Sequence, residues 1–242
     1  MLAAGSGRRR AQARKRADKR GRVDSIERDA RRFAHAHPHC QHSPLSRSPA
    51  GHEGREDTAS ALLRRGARQA LQSRRGASAL SFAVLNDHER VVRVLCAAPG
   101  ADEAAVALDG SGRTPLVLAV ERGREALVEV LLQRPGECGD VDLPNAFGRS
   151  PLMIACLDGR ERAVRALLAA GAAQELQDGN GDCALHFAVH SGHAAVVEAL
   201  CAAPGARAAL ALRDSDGRTP LVLAVEDGLE RCADVLRAHG AE

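Results

Sequence analysis

Gly112-Arg113-Thr114-Pro115-Leu116-Val117-Leu118-Ala119-Val120-Glu121 recurs without a change as Gly217 to Glu226, 105 residues further on. At the same offset Cys96-Ala97-Ala98-Pro99-Gly100 becomes Cys201-Ala202-Ala203-Pro204-Gly205, and Phe82-Ala83-Val84 becomes Phe187-Ala188-Val189. A shorter period divides this one, because the glycines that open each unit are Gly76, Gly112, Gly148, Gly181 and Gly217, spaced 36, 36, 33 and 36. Self-similarity at such a period is the mark of a stacked repeat architecture, and three units make one 105-residue module.

Each unit carries its own start and stop signals. From Gly112, Thr114 can cap a helix with its hydroxyl while Pro115 takes the first helical position, where a missing N–H does no harm. Leu116, Ala119 and Val120 recur at helical spacing, and Gly123 ends this short helix. A second helix follows with Leu127, Val128, Leu131 and Leu132 on its apolar face, closed by Pro135-Gly136. A polar loop leads to the next unit. Two short antiparallel helices and a turn cannot bury that face alone, so the units must stack.

The pattern resembles the ankyrin repeat, whose signature is a turn, then T-P-L-H-x-A-A, then G-H, then an apolar helix ending in G-A. The resemblance covers residues 76 to 242 well and 41 to 75 poorly. It implies an all-α helical solenoid. The signature histidine survives here only as His186, with Ser81, Val117, Met153 and Val222 in the same column. In the family this histidine ties neighbouring units by hydrogen bonds, so these interfaces are expected to lean more on packing.

The 105-residue offset extends upstream: Glu53-Gly54-Arg55-Glu56 corresponds to Asp158-Gly159-Arg160-Glu161, and Ala61-Leu62-Leu63 to Ala166-Leu167-Leu168. The expected organisation is therefore a disordered basic, His-rich tail over 1–40 and a degenerate first unit over 41–75. Five clear units follow at 76–111, 112–147, 148–180, 181–216 and 217–242. In the worn unit a second helix is expected around Thr58 to Arg65, while Pro49 and Gly51 interrupt a first one. At the other end, the column of Leu132 holds Leu63, Cys96, Leu168 and Cys201 but Arg237 in the last unit, which reads as a polar C-terminal cap.

Composition agrees with thin helical layers. Apolar residues make up 45% of the chain, yet there is no Trp, no Tyr and only four Phe, so Ala, Val and Leu must supply the core. Seven cysteines form no C-x-x-C, and Cys96, Cys156, Cys183, Cys201 and Cys232 fall in apolar helical runs, as reduced core residues do. No run of about 18 apolar residues or secretory signal is present. An intracellular protein, cytoplasmic or nuclear, is expected. The net charge of +3 conceals an asymmetry: up to Asp57 there are 14 Lys and Arg against 7 Asp and Glu, and the remainder carries 20 against 24.

Several stretches invite a chemical reading. His35, His37, His39, Cys40 and His42 are good ligands for Zn, Ni or Cu, but without a second cluster or a closed-site spacing they read as a low-complexity tail. Arg8-Arg9-Arg10, Arg14-Lys15-Arg16 and Lys19-Arg20 suit a nuclear-import signal, a nucleic-acid arm or a merely solvated tail. Apolar residues are too few there for a mitochondrial presequence. Ser43-Pro44 and Ser48-Pro49 read as turns rather than phosphorylation sites. Gly110-Ser111-Gly112 and Gly179-Asn180-Gly181 lack the strand and lysine of a phosphate loop. Cys183 and His186, three apart, occupy repeat columns rather than the places of a nucleophile and its base. No enzyme activity, metal or cofactor is expected.

In the ankyrin family the turn tips and first helices line a concave face that grips partners. By matching columns, that surface would comprise Arg113, Glu121, Arg122, Phe147, Arg149, Asp158, Asn180, Asp182, His190, Ser191, Arg218, Glu226 and Asp227. The expected role is a protein-interaction module or scaffold that binds a protein or peptide partner through this concave face, with the chain itself monomeric. A different class of function is a nucleic-acid-associated or nuclear adaptor, in which the basic tail contacts phosphate and the repeats recruit a partner; the acidic balance of the repeats argues against phosphate in the groove itself.

Overall fold

A computed structural model describes residues 49–64, 66, 69, 71–73, 76–134 and 141–241 of the protein. The chain divides into two units, Met1–Arg68 and Gln69–Glu242. The basic and His-rich stretches lie outside the described residues.

In the first unit the described residues form one helix, α1 (Pro49–Arg64). The expected interruption at Pro49 and Gly51 is absent. Pro49 stands at the start of the helix, where its ring is tolerated, and Gly51 falls in the first turn at a cost of about 1 kcal/mol rather than a break. The segment expected as a second helix is the C-terminal half of α1.

The second unit is all helix, with no strand among the described residues. Five antiparallel helix pairs follow one another: α2 (Ala79–Leu85) with α3 (Glu89–Ala97), α5 (Pro115–Glu121) with α6 (Glu125–Leu132), α7 (Pro151–Leu157) with α8 (Glu161–Ala169), α9 (Ala184–His190) with α10 (Ala194–Cys201), and α12 (Pro220–Glu226) with α13 (Glu230–Ala238). Two single-turn helices, α4 (Ala101–Ala105) and α11 (Ala206–Leu210), follow α3 and α10. Besides its own second helix, each first helix packs on the first helix of the adjacent pair, α2 on α5, α5 on α7, α7 on α9 and α9 on α12, and the second helices stack likewise. The result is a two-layer solenoid.

The first helices start as their residues dictate. The hydroxyls of Thr114, Ser150 and Thr219 accept from the N–H of Val117, Met153 and Val222 at 3.2, 3.3 and 3.3 Å, with Pro directly after each cap. Cys183 stands in the cap position of α9, and its own N–H donates to His186 Nδ1 at 3.3 Å. Between the layers Leu116, Leu127, Leu152, Leu167, Leu200 and Leu236 are fully buried, each worth about 1.5–3 kcal/mol of transfer free energy. The core is as free of aromatic bulk as the composition requires.

Where α4 and α11 occur, buried glutamines hold them. Gln69 and Gln174 donate through Nε2 to the carbonyl oxygens of Pro99 and Pro204, at 3.0 and 2.8 Å. Beyond these helices the exposed Gln72 and Gln177 donate in the same way to the carbonyl oxygens of Leu108 and Arg213, at 2.9 and 2.8 Å. Both pairs obey the 105-residue offset. The stretch from Gly148 to Gly181, three residues shorter than the others, has no such helix.

Candidate binding surface

The turns between helix pairs are built on one device. The side-chain oxygen Oδ1 of Asp109 accepts from the N–H of Ser111 and Arg113, that of Asn145 from Phe147 and Arg149, that of Asp178 from Asn180 and Asp182, and that of Asp214 from Asp216 and Arg218. An Asx side chain that caps its own turn leaves the tip rigid. None of these four residues is among the surface residues expected from matching columns, although D/N-x-x-G at each turn is a readable signal.

On this frame the arginines are held in place. Arg113 pairs with Asp109 at 2.8 Å and with Glu121 at 3.2 Å. Arg218 pairs with Asp214 at 2.9 Å and Asp216 at 2.8 Å, and reaches Glu226 at 3.9 Å. Burial raises the Asp109 carboxyl, but the Arg113 guanidinium and the turn N–H groups outweigh it and hold the group below its ordinary range. Asp214 is shifted down in the same way, with Arg218 as the opposing influence to burial. Arg149 differs: its guanidinium lies 4.9 Å from the ring centre of Phe187, a cation–π contact, and 3.7 Å from Asp178.

Asp182 occupies the column of these arginines. Burial lifts its carboxyl above the ordinary range, and the charges of Asp178 and Asp214 push the same way. Asp182, His186 and Asp214 offer ligand atoms within 4.8 Å of one another. Both ring nitrogens of His186 are already engaged, Nδ1 with the Cys183 N–H and Nε2 with the Arg218 carbonyl, and Asp214 serves Arg218 and two turn amides. The arrangement is a hydrogen-bonded junction between turns. The Cys183 thiol lies 3.1 Å from His186 Nδ1, and burial raises its pKa, which keeps it protonated and poorly nucleophilic.

The remaining candidates are distributed along the same turns and helix ends. Phe147 is 76% exposed at a turn tip. Arg122, Asp158, Asn180, His190, Glu226 and Asp227 are exposed, and Ser191 is half-buried. Asp158 pairs with Arg160 at 3.0 Å, and His190 Nδ1 lies 3.9 Å from Asp227 across two pairs. The structure thus groups Arg113 with Glu121, Arg218 with Glu226, and His190 with Asp227.

A stacked helical solenoid with Asx-braced turns and a row of polar side chains at their tips defines a repeat-type binding scaffold. The chain belongs to the ankyrin-repeat family: the family model described as ankyrin repeats in three copies matches residues 50–142, 136–210 and 170–242. Such repeats are protein–protein interaction modules. No curated protein matches the chain. Among solved structures, an ankyrin repeat domain from Acinetobacter baumannii AYE is similar in fold, with a TM-score of 0.68 at 24% identity over 80% of this chain and 96% of that one. No helix among the described residues is long and apolar enough to cross a membrane.

Proposed function

We propose that the chain is an intracellular scaffold that grips a protein or peptide partner on the row of turn tips and first-helix ends running from Arg113 to Asp227. Phe147 carries this reading. The chain has four phenylalanines and neither Trp nor Tyr, and one of the four stands 76% exposed on a turn whose backbone Asn145 braces. A rigid, exposed aromatic beside an arginine such as Arg149 is the kind of residue that dominates an interface when a partner covers it. The unit boundaries at Gly76, Gly112, Gly148, Gly181 and Gly217, and a worn unit over 41–75, belong to the same proposal.

Site-specific photocrosslinking in the native cell tests it. A crosslinking residue at 147 should capture a protein that the same residue at Arg93, on a second helix, does not, and Phe147→Ala should weaken capture of that protein at neighbouring position 180. Equal capture from both positions would sink the assignment of the face. The adaptor reading is separated by salt: if nucleic acid is retained after removal of residues 1–22, the phosphate contacts are on the repeats and not in the tail.

A further inference from the structure

Directly after the turn glycine, four units share a column that holds Arg113, Arg149, Asp182 and Arg218. In the units of Arg113 and Arg218 the carboxylate of the turn is closed by its own arginine. Asp109 Oδ2 accepts from Arg113 Nε and Nη2 at 3.1 and 2.8 Å, and Asp214 Oδ2 accepts from Arg218 Nε at 2.9 Å. The turn of Arg149 carries the neutral Asn145, so that guanidinium lies instead over Phe187 and beside Asp178.

The turn of Asp182 keeps its acid and has an acid in the arginine's column. The Asp178 side chain is only 3% exposed, yet among the described residues its Oδ2 accepts no hydrogen bond, and the cation paired with it, Arg149 Nε, stands off at 3.7 Å. Asp182, half-buried beside it, has no ion pair among the described residues. Eight residues on, where Glu121 and Glu226 face the arginines, stands His190, whose Nδ1 lies 3.9 Å from Asp227. Burial and the charges of Asp178 and Asp214 all disfavour the Asp182 carboxylate, so a positive charge arriving here meets an unbalanced negative one.

We infer that the partner proposed above presents an arginine to Asp178 and Asp182, in the place that the column's own arginine fills beside Asp109 and Asp214. This rests on the proposed function and gives the partner a chemistry. Arginine suits the site better than lysine, because its planar fork donates to two carboxylates at once. A metal ion fits poorly, since His186 is engaged at both nitrogens. The turn of Phe147 is the immediate neighbour: a Cβ on Gly148 would lie 3.6 Å from the Gly179 nitrogen. Adjacent helices stack about 8–10 Å apart and an extended chain rises about 3.3 Å per residue, which sets the arginine about three residues from an apolar residue covering Phe147. Arg113 and Arg218 already balance their own turns, so no equivalent site arises there.

A random peptide library displayed on phage, depleted on Asp182→Arg and then selected on the wild-type full chain, tests this. The depletion variant should fold, because the same column takes arginine in three other units. Surviving peptides should carry an arginine with an apolar residue about three positions away. By fluorescence anisotropy they should bind Asp182→Asn at least about tenfold more weakly than wild type. Replacing their arginine by glutamine should cause the same loss, and the two changes together should cost little more than either alone. Asp182→Asn is expected to stabilise the fold at pH 7, so weaker binding would not reflect unfolding. An empty selection, survivors without an arginine, or equal binding to Asp182→Asn overturns the inference. Binding lost with Phe147→Ala but kept with Asp182→Asn overturns it while leaving the turn tips as the partner's site; indifference to both variants overturns that site too.

Discussion

His186 Nε2 donates to the carbonyl oxygen of Arg218 at 3.1 Å, across the boundary between two helix pairs, while its Nδ1 accepts from the Cys183 N–H at 3.3 Å. These roles put a ring proton on Nε2. In other units the column holds Ser81, Val117, Met153 or Val222. Met153 does half of the same task, its sulfur accepting from the Ser150 N–H at 3.3 Å. His186→Val should therefore cost about 1–3 kcal/mol, since it leaves the buried Cys183 amide and the part-buried Arg218 carbonyl without this partner. His186→Met should recover part of the loss by serving the Cys183 amide. Urea denaturation of the three proteins measures both, and equal stability of the two variants would show that the amide contact contributes nothing.

Gln174 is buried and joins the end of α8 to the loop that launches α11. Gln174→Ala should cost about 1–3 kcal/mol, from an unpaired Pro204 carbonyl and a small cavity. Hydrogen exchange should localise the loss to residues 205–211. Protection lost evenly over the whole solenoid would argue against a local clasp.

Gly159 and Gly228 share the same left-handed backbone, with φ of 67° and 68°. A Cβ at 159 would lie 2.6 Å from the His193 ring, whereas at 228 it would meet nothing. Both alanine variants carry a conformational cost of about 1–2 kcal/mol. Gly159→Ala should add about 1–3 kcal/mol of overpacking, so its thermal midpoint should fall further than that of Gly228→Ala.

Cys96, Cys156, Cys183, Cys201 and Cys232 are buried, and burial pushes the Cys201 thiol up to about 11. At pH 8 these five should resist alkylation in the folded protein and react together on unfolding. Mass spectrometry after brief labelling decides it; rapid modification of Cys156 or Cys183 without denaturant would contradict the stacking described above.

The raised pKa of Asp182 makes a signed claim about pH. Folding disfavours its ionised form, so the charge lowers stability above the folded pKa and that penalty disappears as the pH falls through it. Asp182→Asn should raise the thermal midpoint at pH 7, and the gain should shrink as the pH is lowered through the carboxylate range. Asp214→Asn should do the reverse. The lowered pKa of Asp214 contributes stability present above its ordinary value and lost as the pH falls toward the folded one.

Much of this protein was decided by short-range sequence. Thr114 before Pro115, or Thr219 before Pro220, starts a helix wherever it stands, because cap hydroxyl, fixed φ and absent N–H act within one turn. The period of the units and the columns buried between them follow from repetition of the same local pattern. Pairings that join residues 30 to 38 apart needed the tertiary structure: Gln69 on Pro99, Gln174 on Pro204, and Arg149 over Phe187. Nothing near Gln174 in the chain says which carbonyl it will reach, since only the stacking of pairs brings Pro204 to it. The decapeptide at 112–121 and 217–226 makes the division plain. Its helix, cap and proline are identical in both places, yet Val117 is fully buried and Val222 is 38% exposed, because burial belongs to the neighbour that covers a residue and not to the residue itself.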